Sequence, residues 1–196
     1  FCEQAKGDPD SDYVFIIDEI NRGNLSKVFG ELMMLIEPDK RDKRYGMPLT
    51  YASGDSEVFY VPENLHLIGT MNTADKSLSL VDYALRRRFA FLEMDPGFES
   101  TVFAEVLSKK GISPAMIDKV RTIMRSLNKK IEDDSINLGR GFRIGHSFFV
   151  PSSKVIDEQK WFDEIISFEI VPLIEEYWMD DQGALESTKG ILGVTS

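Results

Sequence analysis

Two adjacent carboxylates, Asp18 and Glu19, directly follow an apolar run, residues 13–17, and precede Ile20 and a polar stretch, residues 21–24. A short continuous apolar run bounded by polar residues predicts a strand buried on both faces, as in a parallel sheet. Open α/β sheets bind ligands at the carboxyl ends of such strands. We therefore expect Asp18 to hold a Mg²⁺ ion, usually through water, because a hard cation prefers oxygen ligands. Glu19 would orient or deprotonate a water that attacks a phosphate. Taken alone, the pair could equally well cap the next helix.

Two further polar groups follow predicted elements in a fixed order. Asn72 ends a second apolar strand, residues 65–71, and three arginines, residues 86–88, end a predicted helix just before a third strand, residues 89–94. Phosphoryl transfer needs a metal, a positioned water and positive charge on the transferring group. Asn72 could orient the water and one arginine could supply the charge. As structural alternatives, Asn72 would only form a turn, and one of the three arginines would only oppose the helix macrodipole.

The pattern of elements changes along the chain. The first part alternates strands with helical periodicity, and two β-prone runs, 47–51 and 57–61, read as a hairpin with a longer loop. Asp95-Pro96-Gly97 is the strongest turn signal in the sequence. We place the domain boundary there, with domains 1–95 and 96–196. The second part is predicted to be helical at about 98–109, 114–134 and 157–179, with Pro172 kinking or interrupting the last helix. This order predicts an α/β domain followed by an all-helical one.

Composition sets limits on the class of protein. The chain has 196 residues, 42% hydrophobic and 29% charged, with a formal net charge of −10. These values are typical of a soluble globular protein, and the acidity argues against a broad nucleic-acid-binding face. No apolar run is long enough to predict a membrane span. The single Cys2 and the absence of a leader are what we expect of a cytoplasmic protein.

The sequence resembles the AAA+ superfamily and, within it, the McrB-type GTPase subunits of modified-cytosine-dependent restriction systems. The Met-Asn-Thr-Ala-Asp string that begins at residue 71 is the most specific part of the resemblance. The segments that carry it are FIIDEINR (15–22), LSKVFGE (25–31), MNTADKS (71–77), DYALRRRF (82–89) and GFRIGHS (141–147). It implies a partial AAA+ P-loop NTPase core, with a parallel sheet, flanking helices and a β-hairpin before sensor 1 at residues 47–61, followed by an α-helical lid.

The resemblance also implies roles for the core residues. Asp18 and Glu19 would be the Walker B pair, with Asp18 binding Mg²⁺. Asn72 would be the sensor-1 residue, serving both catalysis and nucleotide binding. Asp75 would bind nucleotide or, as an alternative, cap the following helix.

Three arginines receive roles from the same resemblance. Arg87 and Arg88 fall in the arginine-finger region, where a side chain can reach a neighbouring subunit's nucleotide. Arg143 lies where a sensor-2 residue of the lid could contact the nucleotide. Which of residues 86–88 is the finger stays open.

At the level of the whole protein, the resemblance implies a hexameric ring that prefers GTP over ATP. A McrC-type nuclease partner would dock on the ring, and GTP hydrolysis would drive DNA translocation before cleavage. The sequence contains no Gly-x-x-x-x-Gly-Lys-Ser/Thr phosphate loop. We expect that loop, and a DNA-recognition domain, to precede residue 1, and we expect the isolated chain to bind nucleotide poorly.

Two other hypotheses stay open at this point. One is a MoxR-like AAA+ ATPase that remodels proteins. The Asn-Thr-Ala-Asp string argues against this hypothesis. The other is an interaction module without enzymatic activity. A nucleotide-preference assay on the intact protein distinguishes the first from a GTPase.

Overall fold

The chain folds as two compact units, Phe1–Leu92 and Glu93–Ser196. The computed structural model describes residues 1–24, 27, 29–49, 58–74 and 86–194. The division lies three residues before the boundary at residues 95 and 96 that the sequence suggested. Within the described residues, no helix is both long and apolar enough to cross a membrane.

The first unit is built around two parallel strands. A short helix, α1 (Cys2–Gly7), precedes β1 (Tyr13–Ile17), and β2 (Leu65–Gly69) pairs with β1 in parallel. The register runs from Tyr13 opposite Leu65 to Ile17 opposite Gly69, so both strands end at the same edge. A small core packs beneath them, formed by Ala5, Ile20, Leu35, Ile36, Val61 and Leu65.

Both predicted strands are present, but the burial predicted for them is wrong. Val14 is 45% exposed, Ile16 62% and Ile68 49%. A parallel sheet is buried only where helices cover both of its faces. In the described part of the chain, the elements next to the two strands do not cover these side chains.

The segment between the strands departs from regular structure. A 3₁₀ helix spans Gly30–Met34, and Gly30 has a φ of 47°. Such a left-handed residue ends the regular α-helical path. The base of the predicted hairpin is present, since the backbones of Met47 and Phe59 exchange two hydrogen bonds of 3.0 and 2.9 Å. Residues 50–57, which contain its predicted loop, lie outside the described residues, as does most of the predicted helix that ends in the three arginines.

The third predicted strand, residues 89–94, is not a strand. The segment forms no ladder with β1 or β2, and its apolar side chains Leu92 and Met94 are 90% and 87% exposed. β-branched and aromatic character predicts that a segment fits a pleated surface, but a strand also needs a neighbour to pair with.

The second unit is helical, as predicted. Its helices are α2 (Thr101–Lys109), α3 (Pro114–Asp133), α4 (Glu158–Ile165), α5 (Val171–Tyr177) and α6 (Gln182–Leu192). On α3, Val120, Met124, Leu127 and Ile131 recur at helical spacing and are fully buried. They join the aromatic rings of Phe98, Phe103, Phe149 and Phe162 in one core.

Pro172 changes the last predicted long helix locally but does not end it. Between α4 and α5 the chain makes a π-helical turn, Ile166–Ile170, and Pro172 lies in the first turn of α5. Proline has no N–H to donate and its ring collides with the carbonyl four residues earlier. A π-turn absorbs that missing bond without ending the helix.

Candidate active site

The carboxyl ends of β1 and β2 bring the predicted chemical groups together. Ile17 and Gly69 are opposite each other in the register, so Asp18 and Glu19 leave one strand where Thr70 leaves the other. Gly69 leaves room for Ile20 at this point, because a Cβ there would lie 2.7 Å from Cδ1 of Ile20 and the isoleucine side chain would have to shift. Ile20 is thereby buried against the end of the strand.

Thr70 forms hydrogen bonds with the residue before the carboxylate pair, with both carboxylate residues and with the residue after them. Its N–H donates to the carbonyl of Ile17 at 3.0 Å, and its carbonyl accepts from the N–H of Ile20 at 2.8 Å. Its hydroxyl accepts from the N–H of Glu19 at 3.2 Å and donates to Oδ1 of Asp18. The position of Asp18 and Glu19 is thus fixed by the residue that directly follows the neighbouring strand.

Glu19 has a left-handed backbone, with a φ of 53°. It is the one non-glycine residue with positive φ among those described. Its carboxylate accepts a hydrogen bond from Nε of Arg22 at 2.7 Å, within the 3₁₀ turn Ile20–Arg22 that follows. Left-handed residues other than glycine cluster at functional sites, where the surroundings compensate for the strain.

Asn72 lies two residues beyond Thr70 and forms a turn. Its Oδ1 accepts from the N–H of Ala74 at 3.0 Å, and its carbonyl accepts from Nδ2 of Asn21 at 3.3 Å. This leaves Nδ2 of Asn72, on an exposed side chain, as the group that can donate to a water. Asn21 is itself buried and ties the segment after β1 to the segment after β2. Asp75 lies outside the described residues.

The residues at this edge suit Mg²⁺. Asp18 is exposed, and the Thr70 hydroxyl occupies only its Oδ1, so Oδ2 can face a hydrated cation. Mg²⁺ keeps several waters and needs only one or two carboxylates. Among the described residues, no group of three or more His, Cys, Asp or Glu side chains could hold a metal by itself.

Arg87 and Arg88 occupy a different part of the first unit. Arg88 forms an ion pair of 2.5 Å with Glu37, and its side chain is only 20% exposed. Arg87 is exposed, and both arginines line a cavity of about 260 Å³ with Glu37, Pro38 and Asp39. Arg88 therefore forms an ion pair within its own unit, whereas Arg87 faces solvent.

Arg143 is engaged within the second unit. Its guanidinium contacts Asp95 at 2.6 Å and Glu93 at 3.3 Å. The hydrogen bond and charge of Arg143, supported by Arg140, lower the pKa of Asp95 below its ordinary value. The loop that carries Arg143 is fixed by the buried Asn128, whose amide binds both backbone groups of Ile144 at 2.7 and 3.0 Å.

Sequence reasoning missed Thr70, Arg22 and Asn21. Nothing about a single threonine after an apolar run distinguishes it from any strand end. The signal that could have found it is the register, since a hydroxyl opposite the residue after β1 can reach the carboxylate pair. That register is visible only when both strands are placed.

Comparison with known proteins assigns both units. Residues 2–89 match the family model of the AAA domain (dynein-related subfamily), and residues 119–186 match that of the McrB alpha-helical lid domain. The strands, the carboxylate pair and the helical second unit therefore define a partial AAA+ core followed by a lid.

Two curated relatives narrow this class. The chain is 51% identical, over 183 residues, to the Type IV methyl-directed restriction enzyme EcoKMcrB subunit of Escherichia coli (strain K12), covering 92% of this chain and 40% of the relative. It is 30% identical, over 91 residues, to the Type II restriction enzyme BsuMI component YdiS of Bacillus subtilis (strain 168), covering 41% of this chain and 26% of that relative. The chain belongs to the McrB-type AAA+ proteins and spans less than half the length of these two relatives.

Proposed function

We propose that this chain is part of the GTP-hydrolysing motor subunit of a modification-dependent DNA restriction complex. In this proposal the intact protein works as a hexameric ring in the cytoplasm. It drives DNA translocation for a McrC-type nuclease partner. The relative from Escherichia coli is named as a subunit of a methyl-directed restriction enzyme, which supports this class of activity.

The observation that carries the proposal is the carboxylate pair at the strand edge. Asp18 and Glu19 follow β1, Thr70 holds both, and Asn72 follows β2 in the same region. An acidic ligand, a general base and a polar amide are the parts that hydrolysis of a nucleoside triphosphate requires from this edge. Mg²⁺, when bound, would supply charge neutralisation on the phosphates.

Each residue then has a task in the hydrolysis step. Asp18 would hold a metal-bound water through Oδ2, and Asn72 would orient the attacking water through Nδ2. Glu19 would accept the proton of that water as it attacks the terminal phosphate. For this step Glu19 must turn away from Arg22, and the cost is small because an exposed ion pair contributes only about 0–1 kcal/mol.

The test is a pair of substitutions in the intact protein. Glu19→Gln removes the base and keeps the size of the side chain, so GTP affinity should persist while turnover falls by about two orders of magnitude or more. Asp18→Asn should lower turnover and raise the Mg²⁺ concentration needed for half-maximal activity. Binding is measured by calorimetry and turnover by phosphate release.

Glu105→Gln, an exposed substitution in α2, is the matched control and should leave both quantities unchanged. Wild-type turnover by Glu19→Gln would contradict the assignment of the base. A clear preference of the wild-type protein for ATP would favour protein remodelling over GTP-driven restriction.

A further inference from the structure

We propose that Thr70 is a positioning residue for hydrolysis, and that its hydroxyl orients the metal-binding carboxylate of Asp18 and the backbone of Glu19 together. The inference rests on the proposed NTPase function and adds to it a residue outside the Walker B and sensor-1 strings. Its basis is the set of hydrogen bonds that Thr70 makes at the ends of β1 and β2.

The direction of the hydroxyl proton follows from the donor next to it. The N–H of Glu19 lies 3.2 Å from Oγ1 of Thr70 and can only donate. The hydroxyl proton must therefore be directed elsewhere, and Oδ1 of Asp18 is the acceptor within reach. One hydroxyl thus accepts from the catalytic residue's backbone and donates to the metal ligand.

This arrangement fixes how Asp18 presents its two oxygens. With Oδ1 held by Thr70, rotation of the carboxylate is restricted and Oδ2 is left for the hydrated cation. Hydrogen bonds to the far side of a metal ligand set its orientation, and their loss typically costs ten- to a hundredfold in metal affinity or activity.

The same hydroxyl supports the unusual backbone of Glu19. A non-glycine residue at a φ of 53° persists only where its surroundings determine it. Thr70 provides this by bonding to Ile17 before the pair, to Ile20 after it and to Glu19 within it. All the polar groups of Thr70 are used, and the two backbone bonds would survive replacement of its side chain.

The test compares Thr70→Val, which keeps the shape and removes the hydroxyl, with Thr70→Ser, which keeps the hydroxyl. In the intact protein, Thr70→Val should lower kcat by about ten- to a hundredfold and raise the Mg²⁺ concentration for half-maximal turnover by a similar factor. Its Kd for GTP should stay within about threefold of wild type. Thr70→Ser should restore both quantities to within about threefold.

Thr122→Val, on the exposed side of α3, is the matched control and should behave as wild type. A merely structural role predicts instead that Thr70→Val and Thr70→Ser lower the melting temperature alike, with an unchanged Mg²⁺ dependence, and this result would overturn the inference. So would a Thr70→Val protein that hydrolyses GTP at the rate of the control. A wild-type protein without Mg²⁺-dependent hydrolysis would overturn the proposed function as well as the inference. The wild-type measurement therefore distinguishes failure of the proposed function from failure of the role of Thr70 alone.

Discussion

At the scale of single residues, Glu19 combines a backbone strain with two compensating contacts. The left-handed conformation costs an L-residue roughly 1–2 kcal/mol, and the hydrogen bond from Glu19 N–H to Thr70 is of comparable size, about 1 kcal/mol. The Arg22 contact adds little because both side chains are exposed. The backbone of Glu19 is therefore held mainly by Thr70, and its carboxylate can change partners at low cost.

The same scale gives a prediction for Asp95. Arg143 lowers the pKa of this carboxyl from its ordinary 3.8, so Arg143→Gln should move the pKa back towards that value. A lowered pKa in the folded state means that the stabilisation is fully present above the ordinary pKa and is lost as the pH falls through the lowered one. The titration of the Asp95 carboxyl, followed by NMR between pH 6 and about 2, measures the shift.

Arg125→Gln is the control for this titration. Arg125 pairs with Glu99 rather than with Asp95, so its loss should leave the Asp95 titration unchanged. If Asp95 titrates at the same pH in wild type and in Arg143→Gln, the contact between them does not persist in solution.

At the scale of elements, sequence patterns predict the lid well and the core only in part. The stripe Val120, Met124, Leu127 and Ile131 predicts α3 because one helix face can be recognised without knowing what it contacts. Strand formation at residues 89–94 depends on a neighbour that the pattern cannot supply. The burial of Val14 and Ile16 depends on covering elements in the same way, so both predictions failed for one physical reason.

Two N-cap serines allow a prediction for helices α2 and α3. Ser100 accepts from the N–H of Phe103 at 3.1 Å, and Ser113 accepts from that of Met116 at 3.2 Å. Ser113 additionally donates from its hydroxyl to Glu158 at 2.8 Å, which joins the start of α3 to the start of α4. Ser100→Ala should lower the free energy of unfolding by about 1 kcal/mol and Ser113→Ala by about 2 kcal/mol.

Urea unfolding followed by tryptophan fluorescence measures these changes for the second unit, because Trp161 and Trp178 both belong to it. Ser153→Ala, at an exposed position outside the helices, should leave the midpoint unchanged. Equal effects of Ser100→Ala and Ser113→Ala would mean that the bond to Glu158 contributes nothing beyond the cap.

At the scale of the whole molecule, the sequence could predict those site residues that directly follow neighbouring parallel strands. Asn72 is far from Asp18 and Glu19 in sequence, yet parallel strands place their carboxyl ends at one edge, so the proximity of these residues follows from the strand assignment. Thr70 needed the register itself. Choosing between Arg87 and Arg88 as the arginine finger requires knowing which residues each arginine contacts. The ion pair between Arg88 and Glu37 favours Arg87 as the residue able to act on another subunit.

An arginine that acts on a neighbouring subunit gives the last prediction. Such a residue stabilises transition-state charge and contributes roughly a thousandfold or more to turnover. In the intact protein, Arg87→Ala should therefore abolish GTP hydrolysis and leave GTP affinity nearly intact. Arg86→Ala is the matched control and should retain turnover, because Cζ of Arg86 lies 6.0 Å from the centre of the Phe91 ring in its own unit. Arg86 is exposed, as Arg87 is.

Mixing two inactive proteins tests whether Arg87 acts between subunits. In rings formed from Arg87→Ala and Glu19→Gln subunits, some interfaces combine an intact Glu19 with an intact Arg87, so part of the GTPase activity should return. Phosphate release is measured across mixing ratios, with ring formation followed by size-exclusion chromatography. Recovery should be greatest near equal proportions, because the number of mixed interfaces is greatest there. If mixed rings form and no ratio recovers activity, Arg87 does not act on a neighbouring subunit. Its exposed side chain, which lines the cavity beside Glu37, would then serve nucleotide binding or assembly within its own subunit.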